Sequence, residues 1–177
     1  VKGGISLKLR FDEADITYWA DLYMKKGCSE LEIELMSFEP DVKERGYLTK
    51  NELVKVAKWK WPPGRPATLA QENSDDHIRD ITSEALSTTN IDDSHTALWR
   101  NLSGVGPTIG SAILHLYHKD PYPIWDWRAL ESVGERKGGG VWRRYVEYCR
   151  ELVARNNVNI QTLNRALWKY SKEKKRQ

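Results

Sequence analysis

Apolar residues along this chain recur mostly at three- and four-residue steps, the spacing that keeps side chains on one face of an α-helix. From Asp12 to Lys26 the set Ile16, Trp19, Ala20 and Tyr23 lines such a face, and Gly27 supplies a C-terminal stop. Thr49-Lys50-Asn51-Glu52 is a capping box, in which hydroxyl and carboxylate satisfy each other's free backbone donors. It opens a helix carrying Leu53, Val56 and Ala57 that ends before Pro62. Ser74 with Asp75 and Asp76 starts another, continued by Ile78, Ile81 and Ala85. A further helix is predicted from about Asp92 to Arg100, with Ala97, Leu98 and Leu102 turned inward. Three more stripes follow: Ile109, Ala112, Ile113, Leu116 and Tyr117; then Trp142, Tyr145, Val146, Cys149, Leu152 and Val153; then Ile160, Leu163, Ala166, Leu167 and Tyr170.

Two stretches break the pattern. In residues 29–38, Leu31, Ile33 and Leu35 alternate like a strand while Leu31, Leu35 and Phe38 share a helical face; the balance favours helix. Ile5, Leu7 and Leu9 also alternate, but in a short terminal stretch that reads as an extended arm. The predicted fold class is all-α, with about eight to ten helices in one compact unit spanning residues 1–177.

Composition narrows the function classes. No apolar run approaches the roughly 20 residues of a membrane helix, and mean hydropathy is −0.67, so no membrane partner is expected. The two cysteines, Cys28 and Cys149, are too few for a disulfide scaffold or a four-thiolate metal site and read as buried free thiols in a reducing compartment. With no signal-peptide pattern, the expected compartment is the cytoplasm, nucleoid-associated, or the nucleus, and not the secretory route. The net charge of +3 hides an asymmetry. Residues 1–100 carry 14 basic against 18 acidic side chains, and residues 101–177 carry 14 against 7, which makes the C-terminal half the better surface for a polyanion.

Candidate chemistry clusters in four places. The segment KWKWPPGRP at residues 58–66 sets Trp59 and Trp61 among Lys58, Lys60 and Arg65; such a loop can stack on bases and neutralise phosphate, or plug its indoles into the core. Gly138-Gly139-Gly140, amid Arg136, Lys137, Arg143 and Arg144, is either a flexible connection or a phosphate contact. His115 and His118, near Asp120, have metal-ligand spacing but no third strong ligand, so surface histidines on an ordinary helix are the better reading. The fourth place, Leu98 to Asp126, carries the most. Gly104-Val105-Gly106 between two helices lets the backbone turn tightly, and a helix N-terminus after such a turn presents free amides to a phosphate. Gly110 and Ser111 are small enough for the preceding helix to approach.

Leu102-Ser103-Gly104-Val105-Gly106-Pro107, the start of the following helix at Thr108 to Leu114, the loop Pro121-Tyr122-Pro123-Ile124, and Asp126, 20 residues after Gly106, together resemble the helix-hairpin-helix (HhH-GPD) DNA glycosylase superfamily. The motif-level resemblance covers roughly residues 92–130. It implies a two-lobed helical bundle: a central lobe at about residues 49–118 holding the helix-hairpin-helix at 92–117, and a second lobe from about 11–48 plus 126–175. It also implies a base-excision repair enzyme that hydrolyses the N-glycosidic bond of a damaged or mismatched base, acting on double-stranded DNA as a monomer.

In that reading Asp126 is the catalytic carboxylate at a cleft, although Asp there also caps a helix through Leu130. Gly104, Val105, Gly106, Thr108, Arg143 and Arg144 touch DNA, and Trp59, Trp61, Tyr122, Trp125 and Trp127 are candidates for the base pocket. Bifunctional members carry a Schiff-base lysine where this chain has Thr108, so a monofunctional enzyme using water is implied. Only Cys149 lies beyond Asp126, which excludes the four-cysteine iron–sulfur loop of some relatives. The superfamily's monovalent cation, Na+ or K+, would sit on the backbone oxygens of Arg100, Leu102 and Val105. Trp125 and Trp127 depart from the smaller or polar neighbours of the familiar branches. The alternatives are a non-enzymatic helix-hairpin-helix DNA-binding module and a helical protein-interaction domain.

Overall fold

The helical periodicity is realised throughout a computed structural model that describes residues 6–62, 64–136, 138 and 140–174. Among the described residues there is no strand. A 3-10 turn at Glu13–Asp15 leads into eleven α-helices. They are α1 Ile16–Lys25, α2 Glu30–Ser37, α3 Glu39–Arg45, α4 Lys50–Lys60, α5 Arg65–Gln71, α6 Asp75–Ser87, α7 Ile91–Asn101, α8 Pro107–Tyr117, α9 Trp127–Ser132, α10 Val141–Asn156 and α11 Ile160–Lys174. None of the described helices is long and apolar enough to cross a membrane.

The chain divides into two units, Cys28–Tyr122 and Val1–Gly27 with Pro123–Gln177. Residues 28–48, grouped above with the terminal helices, therefore belong to the central unit.

The central unit is built around α8, whose Ile113 and Leu114 are fully buried along with Leu35, Leu48, Leu53, Ile78 and Leu98. The capping box forms as predicted: Thr49 accepts from the Glu52 amide and Glu52 accepts from the Thr49 amide at 2.7 Å. Buried Thr82 accepts from the Leu48 amide at 3.0 Å and donates to the Ile78 carbonyl at 2.7 Å, so the hydroxyl is satisfied where a bare one would be costly. A Cβ placed at Gly110 would lie 3.5 Å from Leu98 and His95, ordinary contact, so α7 and α8 pack closely without needing glycine there. The 58–66 loop is shorter than expected, because α4 runs to Lys60 and α5 begins at Arg65. Neither α5 nor α3 shows an apolar stripe: α5 buries only Ala67 and Ala70, and α3 only Val42.

In the terminal unit α1 and α9 pack on α11, and Ile16, Leu130, Leu152, Leu163 and Leu167 fill the core. The N-terminal arm is tied down: the Lys8 and Arg10 amides donate to Val133 and Ser132, and the Leu9 amide donates to Tyr148 Oη at 2.8 Å. Neither Cys28 nor Cys149 is in a disulfide; Cys149 is buried as expected but Cys28 only partly so, and burial pushes the Cys149 thiol up, so it stays protonated and behaves as a small apolar side chain. Arg155 grips Glu13 with two guanidinium nitrogens, which with a hydrogen bond from Asn156 lowers the Glu13 carboxyl to about 2.

His95 joins the two helices of the hairpin motif: its Nε2 lies 2.7 Å from the Pro107 carbonyl in the first turn of α8. Burial depresses its pKa from 6.5 to about 4, against the opposing pull of that hydrogen bond. A depressed folded-state value means the unfolded chain takes up the proton first. Stability is therefore complete above pH 6.5 and falls as pH drops towards 4, by about 3 kcal/mol in all. Thermal melts across that range should show the slope in the wild type and a much flatter profile in His95→Gln, which can still donate to Pro107. Glu13 adds a separate loss only below pH 4.5.

Candidate nucleic-acid interface

The turn between α7 and α8 is held from behind and bare in front. The Leu102 amide closes α7 on Leu98, and the Leu102 carbonyl then accepts from Val105 at 3.3 Å, making a tight turn across Ser103 and Gly104. Gly104 has φ +76°, a left-handed conformation that other residues adopt at a cost. A Cβ there would also lie 2.2 Å from the Pro66 carbonyl oxygen and 2.6 Å from the Ala70 nitrogen, both backbone atoms of α5. Gly106 differs in every respect. Its φ is −86°, it is exposed, and a Cβ on it would meet nothing within 4 Å. It caps α8 without any side-chain hydrogen bond, so the fold's own packing does not call for glycine at this position.

Two residues overlooked in the sequence brace the turn. Asn73, buried between α5 and α6, brackets Ser103: its Nδ2 donates to the Ser103 carbonyl and its Oδ1 accepts from the Ser103 amide, each at 3.0 Å. His77 Nε2 lies 2.7 Å from the Asn101 carbonyl. Of the three carbonyls assigned to a cation, Leu102 already accepts one hydrogen bond and keeps a second lone pair; backbone oxygens are the hard donors that suit Na+ or K+.

Beside the turn lies an open groove of about 540 Å³, entirely within the central unit. It is lined by Trp61, Arg65, Pro66 and Trp99 together with the turn residues Gly104 to Gly106. Trp61 is 60% exposed, the most exposed large apolar side chain among those described. Trp99 is half-buried with the Arg100 guanidinium 5.0 Å from its ring centre, and Trp59 is half-buried under the Lys60 ammonium at 3.7 Å. Trp99 went unnoticed because it falls on the polar side of a helix whose buried residues are Ile91, Ser94, His95, Ala97 and Leu98.

In the terminal unit, Asp126 is half-buried and caps α9, its Oδ1 accepting from the Arg128 amide at 2.7 Å. Its neighbours point opposite ways. Trp127 is 46% exposed, whereas Trp125 is buried edge-on against Trp142 and Tyr145. Arg143 and Arg144 are exposed in the first turn of α10, with Arg144 3.8 Å from Glu135; Lys137 and Gly139 lie outside the described residues.

Several expectations need correction. Tyr122 is fully buried, donates its hydroxyl to Ser94 and packs edge-on against His118, so it presents no face for stacking; the same holds for Trp125. Both were drawn into cores because an aromatic run beside prolines serves packing as readily as binding. His118 is buried, not on the surface, with Nε2 on the Thr88 carbonyl and Nδ1 accepting from the Asp120 amide, and His115 Nδ1 meets the Tyr122 carbonyl. Among the described residues no group of three or more His, Cys, Asp or Glu could hold a metal ion.

No family model, curated protein or solved structure matches this chain.

The two glycines separate by experiment. Gly104→Ala should destabilise by roughly 2–5 kcal/mol in urea unfolding, since both the conformation and the α5 backbone oppose it. Gly106→Ser, which supplies a better N-cap, should stay within about 0.5 kcal/mol of wild type.

Proposed function

We propose that this chain is a monofunctional DNA glycosylase, in which the central unit grips the backbone of duplex DNA and the terminal unit supplies Asp126. The observation that carries the reading is the contrast at the hairpin: Gly104 is demanded by the fold, while Gly106 stands bare at the start of α8 and lets a backbone phosphate approach the helix amides. The adjoining groove adds an exposed indole and the Arg65 guanidinium. A cation on the carbonyls of Arg100, Leu102 and Val105 would bring further positive charge to that phosphate.

The chemistry asked of Asp126 is modest. The C1′–N bond breaks with its electron pair leaving on the base, positive charge develops on the sugar, and a water oxygen then bonds to C1′ and gives up a proton. An oriented carboxylate stabilises that charge and accepts the proton. The hydrogen bond from the Arg128 amide fixes the carboxylate's direction. With Thr108 where a Schiff-base lysine would stand, the product is an abasic site in an intact strand.

The second reading, a DNA-binding module without chemistry, is favoured by the burial of Tyr122 and Trp125, which removes two candidate pocket walls.

Asn caps helices as well as Asp, so Asp126→Asn preserves α9 and isolates the charge. Duplexes carrying uracil, thymine mismatches, oxidised guanine or alkylated purines should bind wild type and variant alike, with base release from the true substrate falling at least about 100-fold in the variant. Undiminished release would remove Asp126 from the mechanism. Salt-sensitive binding with no abasic product on any duplex would establish the module, and no DNA affinity even at low salt would overturn both readings.

A further inference from the structure

One cation of the terminal unit has neither a carboxylate nor a side-chain hydrogen-bond acceptor as partner among the described residues. Arg128 makes no side-chain hydrogen bond or ion pair among the described residues, and its Nη1 is buried with no acceptor at all. Burying a guanidinium nitrogen unpaired costs free energy, so its surroundings must hold it for another reason. They do so through aromatic faces. The guanidinium carbon lies 4.3 Å from the centre of the Trp127 ring and 5.7 Å from that of Trp168 on α11. Trp168 is itself braced edge-on by Tyr23 at 5.6 Å and carries the Lys172 ammonium at 4.6 Å.

A guanidinium lying over a ring face keeps its donors in one plane; with Nη1 buried, the edge formed by Nε and Nη2 is the one that can match two oxygens of a phosphate. Ordinary exposed arginines lose conformational freedom when they bind; one held by indoles has already lost it. Two carboxylates of the same unit are tied to other groups, Glu131 to the Ser171 hydroxyl and Glu173 to the Lys169 ammonium. Asp126 takes only the Arg128 backbone amide.

We propose that Arg128, pre-oriented by Trp127 and Trp168 and flanked by Lys172, is a seat for a DNA backbone phosphate in the terminal unit, separate from the hairpin of the central unit. The seat rests on the DNA-binding reading above. It assigns Arg128 a binding role through its side chain, and it gives Trp127 a structural task as the lid of the stack.

The test is duplex DNA affinity by fluorescence anisotropy at several salt concentrations, using wild type, Arg128→Met and Arg128→Lys. Removing the guanidinium also removes an unsatisfied buried donor, so both variants should melt within a few degrees of wild type. Arg128→Met should weaken binding about tenfold at low salt and reduce the slope of log affinity against log salt by about one. Arg128→Lys should recover less than half of the lost binding free energy, because an ammonium cannot use the stacked fork. DNA binding in the wild type with an unchanged affinity and slope in Arg128→Met would overturn the seat while leaving the hairpin reading intact. Full recovery by lysine would overturn the stacked-fork geometry, and absence of duplex binding by the wild type would overturn both proposals. A drop in Trp127 and Trp168 fluorescence on adding DNA, lost in Arg128→Met, would support the seat independently of affinity.

Discussion

The central unit depends on one close approach: the backbone of the hairpin turn lies against the backbone of α5, with no room for a side chain between them. Gly104 meets that constraint twice, by its left-handed conformation and by its missing Cβ. Asn73 then clamps the adjacent Ser103 from both its amide and its carbonyl, and His95 fixes the first turn of α8 to α7. The consequence is a turn whose back is rigid and whose front is uncluttered. That is the form a phosphate-binding loop needs, because the ordering cost is met in folding and not at the moment of binding.

Much of this fold was legible in the chain, and the pattern of failures is physical. The long helices α7, α8, α10 and α11 have wide apolar faces, and their periodicity found all four, although the stripes of α10 and α11 stop at Val153 and Tyr170, short of the helix ends at Asn156 and Lys174. Helices α3 and α5 each bury one or two small side chains and so leave no periodic trace; their signals are proline at the start and, for α3, Gly46 at φ +83° at the end. The hairpin was readable because glycine spacing reports backbone geometry directly. The braces were not, since Asn73 and His77 act through carbonyls and an amide that lie far off in sequence. Aromatic residues were the least legible of all: Trp61 and Trp127 face outward while Trp125 and Tyr122 are core, and nothing in their local pattern separates the two pairs.

In the terminal unit, structure and the proposed chemistry would draw on the same residues. Asp126 caps α9, which is an adequate reason for an aspartate there, yet the same hydrogen bond orients the carboxylate as a reaction would require. Its donor is the amide of Arg128, whose guanidinium carbon lies 4.3 Å from the centre of the Trp127 ring and 5.7 Å from that of Trp168. A carboxylate, an exposed indole and an oriented cation thus follow one another in three consecutive positions.

The claim that matters most is that the front of the hairpin is a DNA-backbone grip, and amide-resolved NMR during titration with a short duplex tests it directly. The account predicts that the largest shift changes fall on Gly106, Thr108 and Ile109 and on the indole resonances of Trp61 and Trp99, all diminishing as salt is raised. Shifts confined to other surfaces, with these residues unmoved at saturating DNA, would contradict it.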